Sequence, residues 1–190
     1  MAAKEGRCSV KVANVSDFWN GQPEIKVLDP NITACRDKRD LMRQYRETGV
    51  LIDFTQGIDI RCLNDADIED LNGMRLKEVH FAWDNPKDDL EPKFRRYAES
   101  GKKNKHGRYG TVYVLTGYDS TMEENLYRIY TLRDLGYDPY VMVYNKPGAS
   151  KELIRLQRWV NNVWIFRKCK RFEDYQHETA EGAGALGDLF

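Results

Sequence analysis

The chain has 190 residues, enough for one domain with a substantial core. Lysine plus arginine number 30 and aspartate plus glutamate number 30, so net charge selects no polyanionic or polycationic partner. No apolar run approaches the roughly 20 residues that span a bilayer, and "MAAKEGRC" lacks the apolar centre of a signal peptide.

Taken in chain order, short apolar runs with strand character occur at "EIKVLD", "VLIDFT", "EVHFAW", "TVYVLT" and "PYVMVY", with a weaker one at "VWIF". Upstream of them, residues 7–15, "RCSVKVANV", alternate well enough to form a covering strand. Helical spacing fills the intervals. "DKRDLMRQYRETG" puts Leu41, Met42 and Tyr45 on one face and stops at Gly49. "DADIEDLNGM" is a short helix with Asn64 or Asp65 as cap. "STMEENLYRIYTLRDLG" opens on Ser120 or Thr121, carries glutamates in its first turn and ends at Gly136. "ASKELIRLQRWVNN" turns Leu153, Leu156 and Trp159/Val160 inward.

Alternating strands and helices, with nearly continuous apolar strands, imply an α/β fold built on a parallel sheet. Neither GxGxxG nor GxxxxGK[ST] is present, which removes support from the common nucleotide-binding open sheets. The strand ends favour a barrel, because they read Asp29-Asn31, Asp53-Thr55-Gln56, Trp83-Asp84-Asn85, Thr116-Tyr118 and Tyr144-Asn145. In a (β/α) barrel such positions form one functional rim. The same residue types also end strands because they start turns and cap helices, and Asp29-Pro30-Asn31 alone reads more readily as a turn than as a site.

Three stretches go further. "LDPNITAC", "DFTQGIDIRCLNDADIEDLNGMRLKEVHFAWD" and "YTLRDLGYDPYVMVYNKP…RLQRWVNN" resemble bacterial and phage-associated radical S-adenosylmethionine (SAM) proteins, over roughly residues 4 to 175. The resemblance implies a partial (β/α) barrel of five to six parallel strands over residues 1–175, with 176–190 as a polar tail. In that family the loop after the first strand carries Cys-x3-Cys-x2-Cys, whose thiolates hold a 4Fe–4S cluster that binds and cleaves SAM to a 5′-deoxyadenosyl radical. Here Cys8, Cys35, Cys62 and Cys169 are scattered without that triad. "KEGRCSVKVANV" resembles the stretch just past the cluster loop, so the first strand and cluster loop are expected to be missing, and no cluster is expected.

The resemblance also assigns cofactor-facing roles by position. Asp29 and Asn31 close the strand that usually receives the SAM amino group, although the common Gly-Gly-Glu is replaced. Gln56, Asp59 and Arg61 face SAM or substrate, Trp83 and Asp84 meet the ribose, Thr116 lies near adenine and Tyr144 closes the rim. Other readings stand beside these: Arg61 as a scaffold partner of Asp59, Trp83 as a core ring, His80 as a core histidine rather than a ligand or acid–base group, Cys35 and Cys62 as packed thiols rather than hydrogen-atom donors. The expected function is that of the C-terminal part of a radical SAM barrel, inactive alone and with SAM binding weak or lost. The alternative is a noncatalytic module for a nucleotide-like ligand or a partner protein.

Expected partners are a polypeptide supplying the missing strand and cluster loop, or a second copy paired through the exposed sheet edge. Scattered cysteines without an export signal suit reduced thiols in a cytoplasm. Nucleic-acid contact through Lys102, Lys103, Lys105, Arg108 and the basic stretch Arg167 to Arg171 is a weaker idea, unsupported by any binding motif.

Overall fold

A computed structural model describes residues 10–29 and 31–176. It is an α/β structure with six strands and six helices among the described residues: β1 (Glu24–Val27), α1 (Lys38–Thr48), β2 (Leu51–Phe54), α2 (Asp65–Gly73), β3 (Arg75–Leu76), β4 (His80–Ala82), α3 (Glu91–Ser100), β5 (Thr111–Thr116), α4 (Met122–Asp134), β6 (Asp138–Val143), α5 (Lys151–Asn161) and α6 (Val163–Lys168). The strands form two three-stranded sheets, β1-β2-β3 and β4-β5-β6, each parallel and in chain order. No closed barrel forms among the described residues.

The expected strand "EVHFAW" forms, but a break in the sheet falls just before it. Its centre is β4, His80–Ala82, which pairs with β5, while the two residues of β3, Arg75–Leu76, lie just upstream and pair with β2. The two sheets stay connected across this break. Lys77 N–H donates to the Ile52 carbonyl at 2.9 Å, and Ile58 N–H donates to the His80 carbonyl at 2.8 Å. Gly57 has φ +86°, and a Cβ there would sit 3.1 Å from the His80 carbonyl oxygen, so the close approach favours glycine.

Two sequence expectations need correction, and one helix was not anticipated. "VWIF" is not a strand: Asn162 caps α6 by accepting from Ile165 N–H, and Phe166 packs against Trp159. Local capping and an aromatic contact thus outweigh the β-propensity of Val, Trp and Ile. "EPKFRRYAES" forms α3, whose Pro92 in the first turn and inward Phe94 and Tyr97 are ordinary helix signals. The covering strand expected over 7–15 is not formed in its described part, where 10–14 are irregular and Val15–Asp17 makes a short 3-10 turn. Residues 1–9, with Cys8, and the tail from 177 lie outside the described residues.

Alternation along β5 shows how the sheet is covered. Val112, Val114 and Thr116 are fully buried, whereas Thr111, Tyr113 and Leu115 on the opposite face are only half-buried. On β6 the same pattern buries Val141 and exposes Tyr140 and Met142. The helices cover one face, where Phe81 and Trp83 pack on Phe94 and Tyr97 of α3. Among the described residues nothing covers the other face of this parallel sheet, although parallel sheets ordinarily have both faces covered.

Arg128 of α4 holds the strand ends together. It is fully buried, and all five of its N–H groups find acceptors. Nη1 donates to the carbonyls of Trp83 (2.6 Å) and Asp84 (3.2 Å), Nη2 to the Leu115 carbonyl (2.9 Å) and Asn125 Oδ1 (2.6 Å), and Nε to the Glu124 carbonyl (3.3 Å). Burial pushes its pKa down to about 10, against the pull of Asp84 and Glu124, so it remains charged at neutral pH. Replacing Arg128 with Ala should cost about 3 kcal/mol or more, by stranding buried acceptors and leaving a cavity. Arg128→Lys should recover only part, since an ammonium offers three donors in a different geometry. Urea unfolding checks this, and a loss under about 1 kcal/mol for the alanine variant would contradict the assignment.

Candidate functional site

The loops after β1, β2 and β4 meet at one cavity of about 270 Å³. Asn31, Gln56, Asp59, Arg61 and Asp84 line it, so five of the nine residues expected at the rim come together. Asn85, Asp88 and Tyr113 join them.

Each wall has a local cause. After β1, Asp29 Oδ1 accepts from Asn31 N–H at 2.9 Å, closing an Asx-type turn. Asn31 then caps the 3-10 turn Ile32–Ala34, accepting from Ala34 N–H and from the Thr33 hydroxyl. The hydroxyl of Thr33 in turn accepts from Asp59 N–H at 3.2 Å, which ties the β1 loop to the β2 loop. After β2, Asp59 caps the 3-10 turn Ile60–Cys62 and binds Arg61 in a fork, Nε to Oδ1 at 2.9 Å and Nη2 to Oδ2 at 2.8 Å. Arg61 Nη1 also lies 3.7 Å from Asp88 Oδ2. Gln56 is exposed on the cavity wall.

The remaining four expected residues lie elsewhere. Asp29 stands behind the wall in its turn. Trp83 is 1% exposed, stacks on Phe94 at 5.5 Å and donates its indole N–H to the Asp88 carbonyl, so it supports the β4 loop from within the core. Thr116 is fully buried and directs its hydroxyl to the Met142 carbonyl. Tyr144 is exposed and packs against Tyr118 at 4.9 Å, away from the cavity lining. Burial follows from strand alternation: Trp83 and Thr116 fall on the helix-covered face.

Asp88 and Tyr113 were not singled out by the sequence reading. Asp88 belongs to the turn "DNPKDD", where Asn85 accepts from Lys87 N–H and donates to Asp88. Asn-Pro followed by an acidic residue was the available signal. Tyr113 alternates with buried Val112 and Val114, which was a signal for the open face. Its ring stacks on His80 at 5.7 Å and 11°, and its hydroxyl lies 3.4 Å from His80 Nδ1.

The lining carries three carboxylates, Asp59, Asp84 and Asp88, against one guanidinium, Arg61. Burial tends to raise the Asp59 pKa, but the hydrogen bonds from Arg61 prevail and hold it below the usual carboxylate value. Asp84 behaves oppositely: desolvation raises its pKa above the usual value despite the attraction of Arg128 and Arg61 and a hydrogen bond from the backbone of Leu115. Burial likewise raises the Cys62 thiol, with Asp59 adding to it, so Cys62 stays protonated near neutrality.

Comparison of the chain with protein-family models, with curated proteins and with solved structures returned no match. No helix among the described residues is long and apolar enough to cross a membrane. The residues present do not fit a three-thiolate iron–sulfur cluster. The four cysteines stand at 8, 35, 62 and 169 without the required spacing, and no group of three His, Cys, Asp or Glu among the described residues is placed to hold a metal ion.

The opposite pKa shifts give opposite pH behaviour. The folded state disfavours ionised Asp84, so its penalty is absent at acid pH and grows as pH rises through the carboxylate range. Asp84→Asn should therefore stabilise the chain at pH 7 and lose that advantage below about pH 4. Asp59 contributes stability above its unfolded value that is lost as pH falls through its lower folded value. Asp59→Asn should cost about 1 kcal/mol at pH 7, solvent screening at Arg61 included, and less in acid. Urea midpoints between pH 3 and pH 8 test both, and parallel profiles for the two variants would contradict them.

Proposed function

We propose that this chain is the C-terminal part of a radical SAM barrel, carrying strand ends that face SAM or substrate but not the cluster-ligating cysteines. The observation that supports the reading most is the cavity itself. Five residues assigned cofactor-facing positions by the family resemblance line one recess at the C-terminal ends of parallel strands. The strand order, sequential within each sheet, is the order that a (β/α) barrel requires. The open face of the sheet is what an unclosed barrel would leave, and it suits completion by a polypeptide that supplies the missing strand and cluster loop.

The donor set fits SAM in part. Excess carboxylate favours a ligand bearing positive charge and hydroxyl donors, such as a sulfonium with a ribose, over a nucleotide with phosphates. Asp84 is the residue best placed to accept ribose hydroxyls, because its carboxyl has no ion-pair partner within 4 Å among the described residues. Asp59 is committed to Arg61. Arg61, held by Asp59 and Asp88, orients the β2 loop and has limited capacity for a ligand carboxylate. The cavity is at the small end of ligand pockets, roughly 300–1,000 Å³, which suits a nucleoside-sized portion. In an intact family member, bound SAM supplies the radical; this chain supplies binding and orientation only.

Two measurements test the reading. NMR titration with SAM and with adenosine should give comparable weak shifts at Gln56, Asp84 and Tyr113. Loss of the metal contact leaves affinity on the order of 0.1 mM or poorer. Asp84→Ala should weaken both ligands, as the hydroxyl donors lose their acceptor. No shift with either ligand would sink the SAM reading and favour a noncatalytic partner-binding module.

Anaerobic reconstitution of the chain alone should give no stoichiometric iron and sulfide. Uptake should appear only with a second polypeptide that carries Cys-x3-Cys-x2-Cys. A cluster formed on the chain alone would overturn the assignment.

A further inference from the structure

A second cavity, of about 260 Å³, opens at the opposite end of the strands, beside β3 and the starts of β4 and β5. Its floor is apolar and aromatic, with Met74, Leu76, Val79, Tyr97 and Tyr109. Its walls bring together five cations from two separate segments: Arg75 and Lys77 from the β3 segment, Lys102, Lys103 and Lys105 from the loop after α3. Glu78 is the single carboxylate among the described lining residues, and it already accepts from the Thr111 hydroxyl at 2.7 Å.

What distinguishes these cations is how little of their charge is neutralised. Elsewhere lysines and arginines are commonly paired, as Lys38 is with Asp67 and Arg96 with Asp65. On this wall Lys77 alone has carboxylate partners, Glu24 and Asp53. Lys102 donates to the Asn72 carbonyl, Lys103 lies 5.1 Å above the Tyr109 ring and Arg75 donates to the Gly49 carbonyl. Arg75, Lys102, Lys103 and Lys105 make no ion pair among the described residues. Four positive charges without a carboxylate partner lining one recess, in a chain of zero net charge, create a local field that attracts an anion.

We infer that this recess binds an organic phosphate of about nucleotide size, the phosphate between Lys103, Lys105 and Arg75 and the apolar body against the Tyr109 side of the floor. Phosphate suits several point charges approaching from different directions, whereas one carboxylate would engage only one or two of them. The volume holds one such body, and the floor gives a planar group a ring edge and aliphatic carbon to pack on. The site is independent of the acidic cavity, whose charge would repel the same ligand.

The probe is AMP, with adenosine and inorganic phosphate as controls, followed by amide shifts on the full chain. AMP should shift Lys103 to Gly110 and Arg75 to Val79, and binding should weaken as salt is raised. Adenosine should leave those amides unmoved, and inorganic phosphate should bind more weakly than AMP. The double variant Lys103→Ala with Lys105→Ala removes exposed side chains only, and should bind AMP roughly threefold to tenfold more weakly. Arg75→Gln, on the opposite wall, should weaken it as well, with an unchanged far-UV spectrum showing that both variants are folded. Shifts confined to Gln56 and Asp84, equal response to adenosine, equal affinity for inorganic phosphate, or indifference to these substitutions would each overturn the proposal.

Discussion

The structure depends on how one buried guanidinium is satisfied. An arginine enclosed by protein must bring its own acceptors, since an unpaired buried charge is far costlier than a surface one. Arg128 meets that demand with four main-chain carbonyls and one side-chain amide, and it has no carboxylate partner within 4 Å among the described residues. Three of those carbonyls, from Trp83, Asp84 and Leu115, terminate β4 and β5. Strand ends are where main-chain acceptors run out of sheet partners, so one side chain from α4 both closes the sheet and fixes the loop that carries Asp84. The Thr121–Glu124 capping box starts α4 about two turns before Arg128 and so sets where Arg128 reaches.

The consequence reaches the cavity. Asp84 is attached to a backbone held by Arg128, and its carboxyl is partly desolvated by the same crowding. Asp59 sits two strands away under different control, with Arg61 in a fork and a backbone N–H on the same oxygen. Neighbouring carboxylates are thereby driven apart in acidity: one is built into the scaffold, the other remains available at a cost.

Much of this was legible in the residues, for reasons that differ by element. Asn64, Thr121 and Gly49 mark their helix ends because capping is a local interaction between a side chain and the backbone one turn away. The five main apolar runs mark strands, since period and length are also local. What could not be read was which face each strand end would present. Trp83 and Asp84 are adjacent, yet one enters the core and the other the cavity, because alternation is fixed by register against β5. "VWIF" was misread because its helical state depends on Asn162 and on a distant aromatic cluster, and α3 was missed because Lys, Arg and Glu dilute its apolar stripe. Barrel closure was equally beyond local signals, being a property of how the sheets curve.

The two cavities carry opposite charge, and helix dipoles explain part of that. In a parallel arrangement the helices following the strands start near the C-terminal strand ends and finish near the N-terminal ones. Acidic groups therefore suit the first end and basic groups the second, each for about 0.3–1 kcal/mol. Lys102, bonded to the Asn72 carbonyl at the end of α2, fits that account fully. Arg75 fits it too, since it donates to the Gly49 carbonyl at the C-terminal cap of α1. Lys105 does not, because it is bonded to no helix-end carbonyl among the described residues. The dipole effect fades within one turn and rewards charge on any exposed helix end, whether or not a recess lies beside it. It supplies the sign of the charge at each end of the sheet, but it does not account for unpaired cations facing one another across an apolar floor. That part of the arrangement calls for an anion between them.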